Sequence, residues 1–103
     1  MKKLDSVGTV IAVRNLDLRG GKEVVVTIGM PRKTPDEDDY YCPYQITGTD
    51  RSDIRYAVGV DAVQALELAL RMIGADLYTS NEALNGALSW EGGIDGDLGF
   101  PRP

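Results

Sequence analysis

Apolar and polar residues alternate along most of the first sixty positions, then switch to a three-and-four spacing. Residues 7–31 read as two strands joined by the stretch RGGK. A three-residue loop of Gly20, Gly21 and Lys22 sets Leu18 opposite Val24 and Leu16 opposite Val26. Arg19 then faces Glu23, and Asn15 faces Thr27, on the other side of the sheet. A two-residue Gly-Gly turn would put Leu16 against Val25 and Leu18 against Glu23, mixing the faces. A one-residue slip exchanges core and solvent for every side chain, so the first register is the expected one. The two glycines supply the positive φ such loops need.

The segment MPRKTPDEDD is expected to be a loop, bracketed by Pro31 and Pro35. In YYCPYQITG, Tyr40, Cys42, Tyr44 and Ile46 share one face, and Tyr41, Pro43, Gln45 and Thr47 the other. Pro43 lacks a ladder donor, which predicts an edge strand or a bulge. After the turn GTDRSD, the stretch IRYAV places Ile54, Tyr56 and Val58 on its apolar side. Tyr40, Tyr44 and Tyr56 are therefore expected beneath a covering helix. The outward face should carry Val25, Thr27, Tyr41, Gln45 and Arg55.

The helix is the clearest element. Val63, Leu66, Leu70, Ile73 and Leu77 form a stripe that Ala62, Ala69 and Met72 widen. Asp61 followed by Gln64 is a capping-box pattern and predicts the start. Glu67 and Arg71 stand at i, i+4 on the polar side. Gly74, unfavourable inside a helix, suggests close packing onto the sheet. A length of about 18 residues spans about 27 Å, enough to cross four strands. ALSW at 87–90 is a candidate last strand. Residues 91–103 are a glycine-rich tail that Leu98 and Phe100 should pin to the body. The expected architecture is α+β: a curved antiparallel sheet of four to five strands with one long helix on one face, in two layers.

Composition narrows the setting more than the function. At 103 residues, 43% apolar and 26% charged, the chain is expected to form one soluble domain over 1–103. No apolar run approaches the roughly 20 residues of a membrane span, and Asp5 interrupts any export signal core. One cysteine forms no internal disulfide, which suits a reducing cytoplasm. The net charge of −5 is uneven. Seven Lys/Arg stand against three acids up to Pro35, and four against thirteen from Asp36 onward. That acidic second part argues against a nucleic-acid partner, whose phosphates it would repel.

The most chemically loaded stretch is PDEDDYYCPYQITG, with four consecutive acids, three tyrosines and the single cysteine. Consecutive acids on a loop converge poorly on a cation, and the alternating ligand spacing of a calcium loop is absent. A solvated loop is the expectation, with no metal and no cofactor. Cys42 has no histidine anywhere in the chain to activate it, so it reads as a buried small side chain. The absence of histidine also removes His-based triads and dyads. GGIDGDLG lacks both the lysine and the following helix of a phosphate loop. Arg14, Arg32 and Lys33 read as solvated charges, and Trp90 as a core anchor.

The stretches IGMPR, CPYQITG, GVDAVQALELALRMIGADL and LSW, with GFPR behind them, together resemble a family of small bacterial proteins known as a domain of unknown function. The resemblance runs from about Leu16 onward. It implies one cytoplasmic bacterial domain and transfers no activity, ligand or catalytic residue.

No catalytic constellation emerges, so the leading expectation is a non-enzymatic interaction or regulatory module. Asp36, Asp38 and Tyr41 are its candidate contacts for a protein partner, and the outward face, or an edge left near Pro43, could support a homodimer or a partner. The alternative is a small-molecule binder or enzyme with a pocket between helix and sheet. Tyr44, Tyr56 and Trp90 would line that pocket, with Arg55 nearby.

Overall fold

The computed structural model describes residues 3–103; Met1 and Lys2, part of the start read above as no export signal, lie outside the described residues. Six strands form one antiparallel sheet: β1 (Val10–Leu18), β2 (Lys22–Gly29), β3 (Arg32–Lys33), β4 (Tyr40–Thr47), β5 (Ile54–Gly59) and β6 (Leu88–Ser89). Helix α1 (Ala62–Tyr78) and the single turn α2 (Asn81–Leu84) lie between β5 and β6. Across the sheet the order runs β6, β1, β2, β4, β5. The fold is α+β, with one long helix on an open sheet. The strand beyond expectation is β3, a two-residue pairing of Arg32 with Tyr41 and Lys33 with Tyr40, inside the segment read as loop.

The first hairpin keeps its predicted faces but not its register. Leu16 pairs with Val24 and Leu18 with Lys22, two residues from expectation, so the loop is Arg19-Gly20-Gly21. Both registers put Leu16, Val24 and Val26 on one face, and the hydrophobic pattern cannot separate them. The turn separates them: Gly20 and Gly21 have φ of +94° and +79° and take the last two loop positions.

β4 is a central strand, not an edge. β5 runs along Tyr40–Gln45 on one side, so β2 (at Tyr44–Thr47) and β3 (at Tyr40–Tyr41) share the other. Pro43 sits in the gap between those two short ladders, where a missing donor does least harm.

The facing of β5 is the reverse of the expectation. Register sets Arg55, Ala57 and Gly59 on the inner face beside Tyr44, Cys42 and Tyr40; Ile54, Tyr56 and Val58 look outward. The reason lies in the helix. Its buried side is Ala65, Ala69, Ile73, Gly74 and Leu77, while Val63, expected in the stripe, is 73% exposed. A face of alanines lets α1 approach closely, and only small residues such as Ala57 and Gly59 fit under it. The cap is as predicted: Gln64 N–H donates to Asp61 Oδ1 at 2.8 Å, and Gln64 Oε1 accepts from Val60 N–H at 2.7 Å. Gly74 packs closely, but on the tail rather than the sheet: a Cβ there would collide with the Pro101 carbonyl.

α1 covers β4 and β5, and the C-terminal tail packs on the inner side of β1 at Arg14. Leu16, Val24, Val26, Cys42, Tyr44, Ala65, Ala69, Ile73, Leu77, Leu98 and Phe100 join one buried cluster. Tyr78 ties tail to helix. Its hydroxyl accepts from Leu98 N–H at 2.8 Å and lies 3.2 Å from Asp97 Oδ1 and 3.3 Å from the Phe100 carbonyl. Among the described residues no helix is long and apolar enough to cross a membrane.

Candidate functional site

A cleft of about 210 Å³ opens between the β4–β5 turn and the junction of α1 with α2. Its centre is a three-membered network. Tyr44 Oη and Arg55 Nη1 both donate to Asp76 Oδ2, each at 2.7 Å. Tyr44 reaches it from β4, where alternation with Cys42 and Ile46 turns its ring inward; the ring is 1% exposed. Arg55 reaches it from β5 because the small-residue face of that strand is the inner one. Asp76 comes from the last turn of α1, seven residues beyond Ala69 and three beyond Ile73, at the margin of the buried stripe.

The chemistry of these groups follows from burial and pairing. Burial, and secondarily the hydrogen bond to Asp76, push the Tyr44 hydroxyl well above the ordinary phenol range. It stays a proton donor. Burial works to lower Arg55, but the hydrogen bond to Asp76 and the negative charges nearby outweigh it. Arg55 and Asp76 remain 32% and 26% exposed in their side chains, so the pair is half-submerged at the cleft wall. Such a pair orients more than it stabilises, because desolvation offsets much of the attraction.

The turn on the other side is braced by Gln45 Nε2 donating to the Ser52 carbonyl at 2.6 Å, and by Thr49 Oγ1 donating to the Arg51 carbonyl at 3.0 Å. Among the described residues no three His, Cys, Asp or Glu side chains are grouped to hold a metal.

Of the residues proposed from the sequence for a pocket, the structure brings Tyr44 and Arg55 together. Tyr56 is on the opposite face of the sheet, where it meets Tyr41 edge to face at 6.2 Å and 78°. Trp90 lies towards the tail, with the Arg14 guanidinium 4.2 Å from its ring. Asp76, the third member, is not among the residues that the sequence singles out. Its position between Ile73 and Leu77, beside the stripe, was the available signal.

Asp36 and Asp38 lie on the tip of the β3–β4 hairpin, both exposed, with Lys33 Nζ 3.9 Å from Asp38. Tyr41 is on the stem of that hairpin and faces outward. Cys42 is fully buried, donates to the Gly29 carbonyl at 3.5 Å, and has its thiol pushed up to about 11 by burial. Burial thus keeps it in the thiol form at neutral pH.

Comparison with curated proteins and with solved structures gives no match. The family described as Domain of unknown function (DUF6968) matches residues 12–102. That span takes in every strand but the start of β1, the whole of α1, and the tail that closes the sheet. The chain belongs to the DUF6968 family.

Proposed function

We propose that this chain is a non-enzymatic protein-interaction module of a bacterial cytoplasm, and that it engages its partner through the uncovered face of the sheet. The observation that carries this reading is the apolar, aromatic character of that face. Tyr41 and Tyr56 pack together there beside Val58, which is 43% exposed. The row through Ile54, Gln45, Thr27 and Val13 continues across the sheet to β1, where Val13 is 57% exposed. Rigid tyrosines on a strand offer large contact area at small entropic cost, and Tyr is enriched among binding hot spots. The acidic hairpin tip at Asp36 and Asp38 stands at the rim and would select a basic rim on the partner.

Native mass spectrometry of the untagged protein from its own host supplies the partner; titration against variants then tests the surface. Tyr41→Ala and Val58→Asp are expected to weaken binding about tenfold or more, at unchanged thermal midpoint. Asp36→Asn with Asp38→Asn is expected to slow association and reduce its salt dependence. Full affinity in all three would sink the reading.

A further inference from the structure

The Tyr44–Arg55–Asp76 cleft is a separate feature, on the other side of the sheet, and its electrostatics are one-sided. Asp50, Asp53, Asp76 and Glu82 line it, against two arginines. Both arginines already face carboxylates: Arg55 is on Asp76 at 2.7 Å, and Arg51 lies 3.9 Å from Asp53. Asp50 and Glu82 have no basic partner among the described residues.

The hydroxyls point the same way. Thr79 Oγ1 gives its proton to the Ala75 carbonyl at 2.6 Å, Ser80 Oγ to the Leu77 carbonyl at 2.6 Å, and Thr49 Oγ1 to the Arg51 carbonyl. Towards a ligand these oxygens can only accept. The C-terminal end of α1 also opens here, with its partial negative charge and no basic residue in the last turn. The lining thus offers acceptors and negative charge, while its floor of Tyr44, Ile46 and Leu77 is apolar.

We propose that this cleft is a binding site for a small organic cation: a primary ammonium or guanidinium carried on a short carbon chain. The chain would lie on Ile46 and Leu77. The cationic head would meet Asp50 or Glu82, the lining carboxylates with no basic partner among the described residues, since Asp76 already accepts from Arg55 and Tyr44. A volume near 210 Å³ is below the roughly 300–1,000 Å³ of sites for drug-sized ligands, which sets the ligand's size. Among the described residues no three-ligand cluster is formed, which disfavours a bare metal ion in the same place. The same head group occurs on free amines and on lysine or arginine side chains, and the test separates the two.

The experiment is a titration of the full chain at low salt followed by amide NMR, with n-butylammonium chloride, n-butylguanidinium chloride, sodium butyrate and an acetyl-Gly-Lys-Gly-amide peptide as probes. Saturable shifts confined to residues 49–55 and 76–82 are expected with the cations and not with butyrate. Tighter binding of the butyl cations than of the peptide assigns the site to free amines; the reverse assigns it to a lysine side chain. The double variant Asp50→Asn, Glu82→Gln touches no buried contact and is expected to weaken binding about fivefold or more. Equal or tighter binding of butyrate, shifts that never saturate, or unchanged affinity in the double variant would overturn the proposal.

Discussion

Arg55 and Arg14 occupy equivalent situations at the two ends of the inner face, and the protein holds them in opposite ways. Arg55, on β5, is met by a carboxylate of the covering helix, and a buried tyrosine donates to the same oxygen. Among the described residues Arg14, on β1, forms no ion pair within 4 Å. Its guanidinium lies 4.2 Å from the Trp90 ring and 4.8 Å from Phe100, and Nη1 donates to the Gly99 carbonyl at 2.7 Å. Under the helix a rigid element can place a charge to order. Under the tail, loop backbone and two aromatic rings wrap a cation whose charge still reaches water. The first arrangement is strongly coupled and costly to break. The second is a set of individually small contacts.

The largest expected effect tests whether the tail is structural or a flap. Phe100→Ala should lower unfolding free energy by about 3–5 kcal/mol in urea denaturation, because the ring belongs to the common core. A loss under about 1 kcal/mol would make the tail dispensable and break the comparison.

Next comes the coupled network. Asp76→Ala strands the Arg55 guanidinium and the Tyr44 hydroxyl together, and is expected to cost about 2–4 kcal/mol. Adding Arg55→Met should return part of that loss. A double-mutant cycle that finds the two changes additive would show no coupling.

Gly74→Ala is expected to cost about 1–3 kcal/mol despite alanine's better helix propensity, since its methyl displaces Pro101 and the tail behind it. Stabilisation by that substitution would mean the tail sits further out. Arg14→Met keeps the apolar stem on Trp90 and Phe100 and removes the charge. About 0.5–1 kcal/mol is expected, well below the Asp76 effect.

The smallest effect is one of pH. Asp97 is held below its usual carboxylate range, first by the Gly99 N–H at 2.9 Å, with help from Tyr78, Arg102 and Arg14 against some desolvation. A lowered folded pKa means the contact contributes fully above the ordinary carboxylate range and is lost as pH falls through the lowered folded value. Amide exchange at Leu98 and Gly99 should therefore quicken in acid, and Asp97→Asn should flatten that dependence. The Tyr44–Asp76 amides serve as the internal comparison.

Sequence periodicity alone determined much of this protein. The strands at Tyr40–Thr47 and on both sides of RGGK, the helix with its Asp61 cap, the Glu67–Arg71 pair and the anchoring of the tail by Leu98 and Phe100 all follow from local pattern. These are properties of a few neighbouring residues and need no knowledge of what lies across the chain. Tertiary structure decided the facing of β5, the two-residue shift of the first hairpin and the depth of the helix. The hairpin shift was a choice between alternatives that local pattern left nearly equal, whereas the facing of β5 ran against its own pattern. In β5, Ile54-Tyr56-Val58 is the more hydrophobic face, yet alanines 65 and 69 bring α1 so close that only Ala57 and Gly59 fit beneath it. That inversion turns Tyr56 outward to Tyr41 and Arg55 inward to Asp76. Both candidate surfaces exist because the fit between helix and sheet outweighed the hydrophobicity of a single strand.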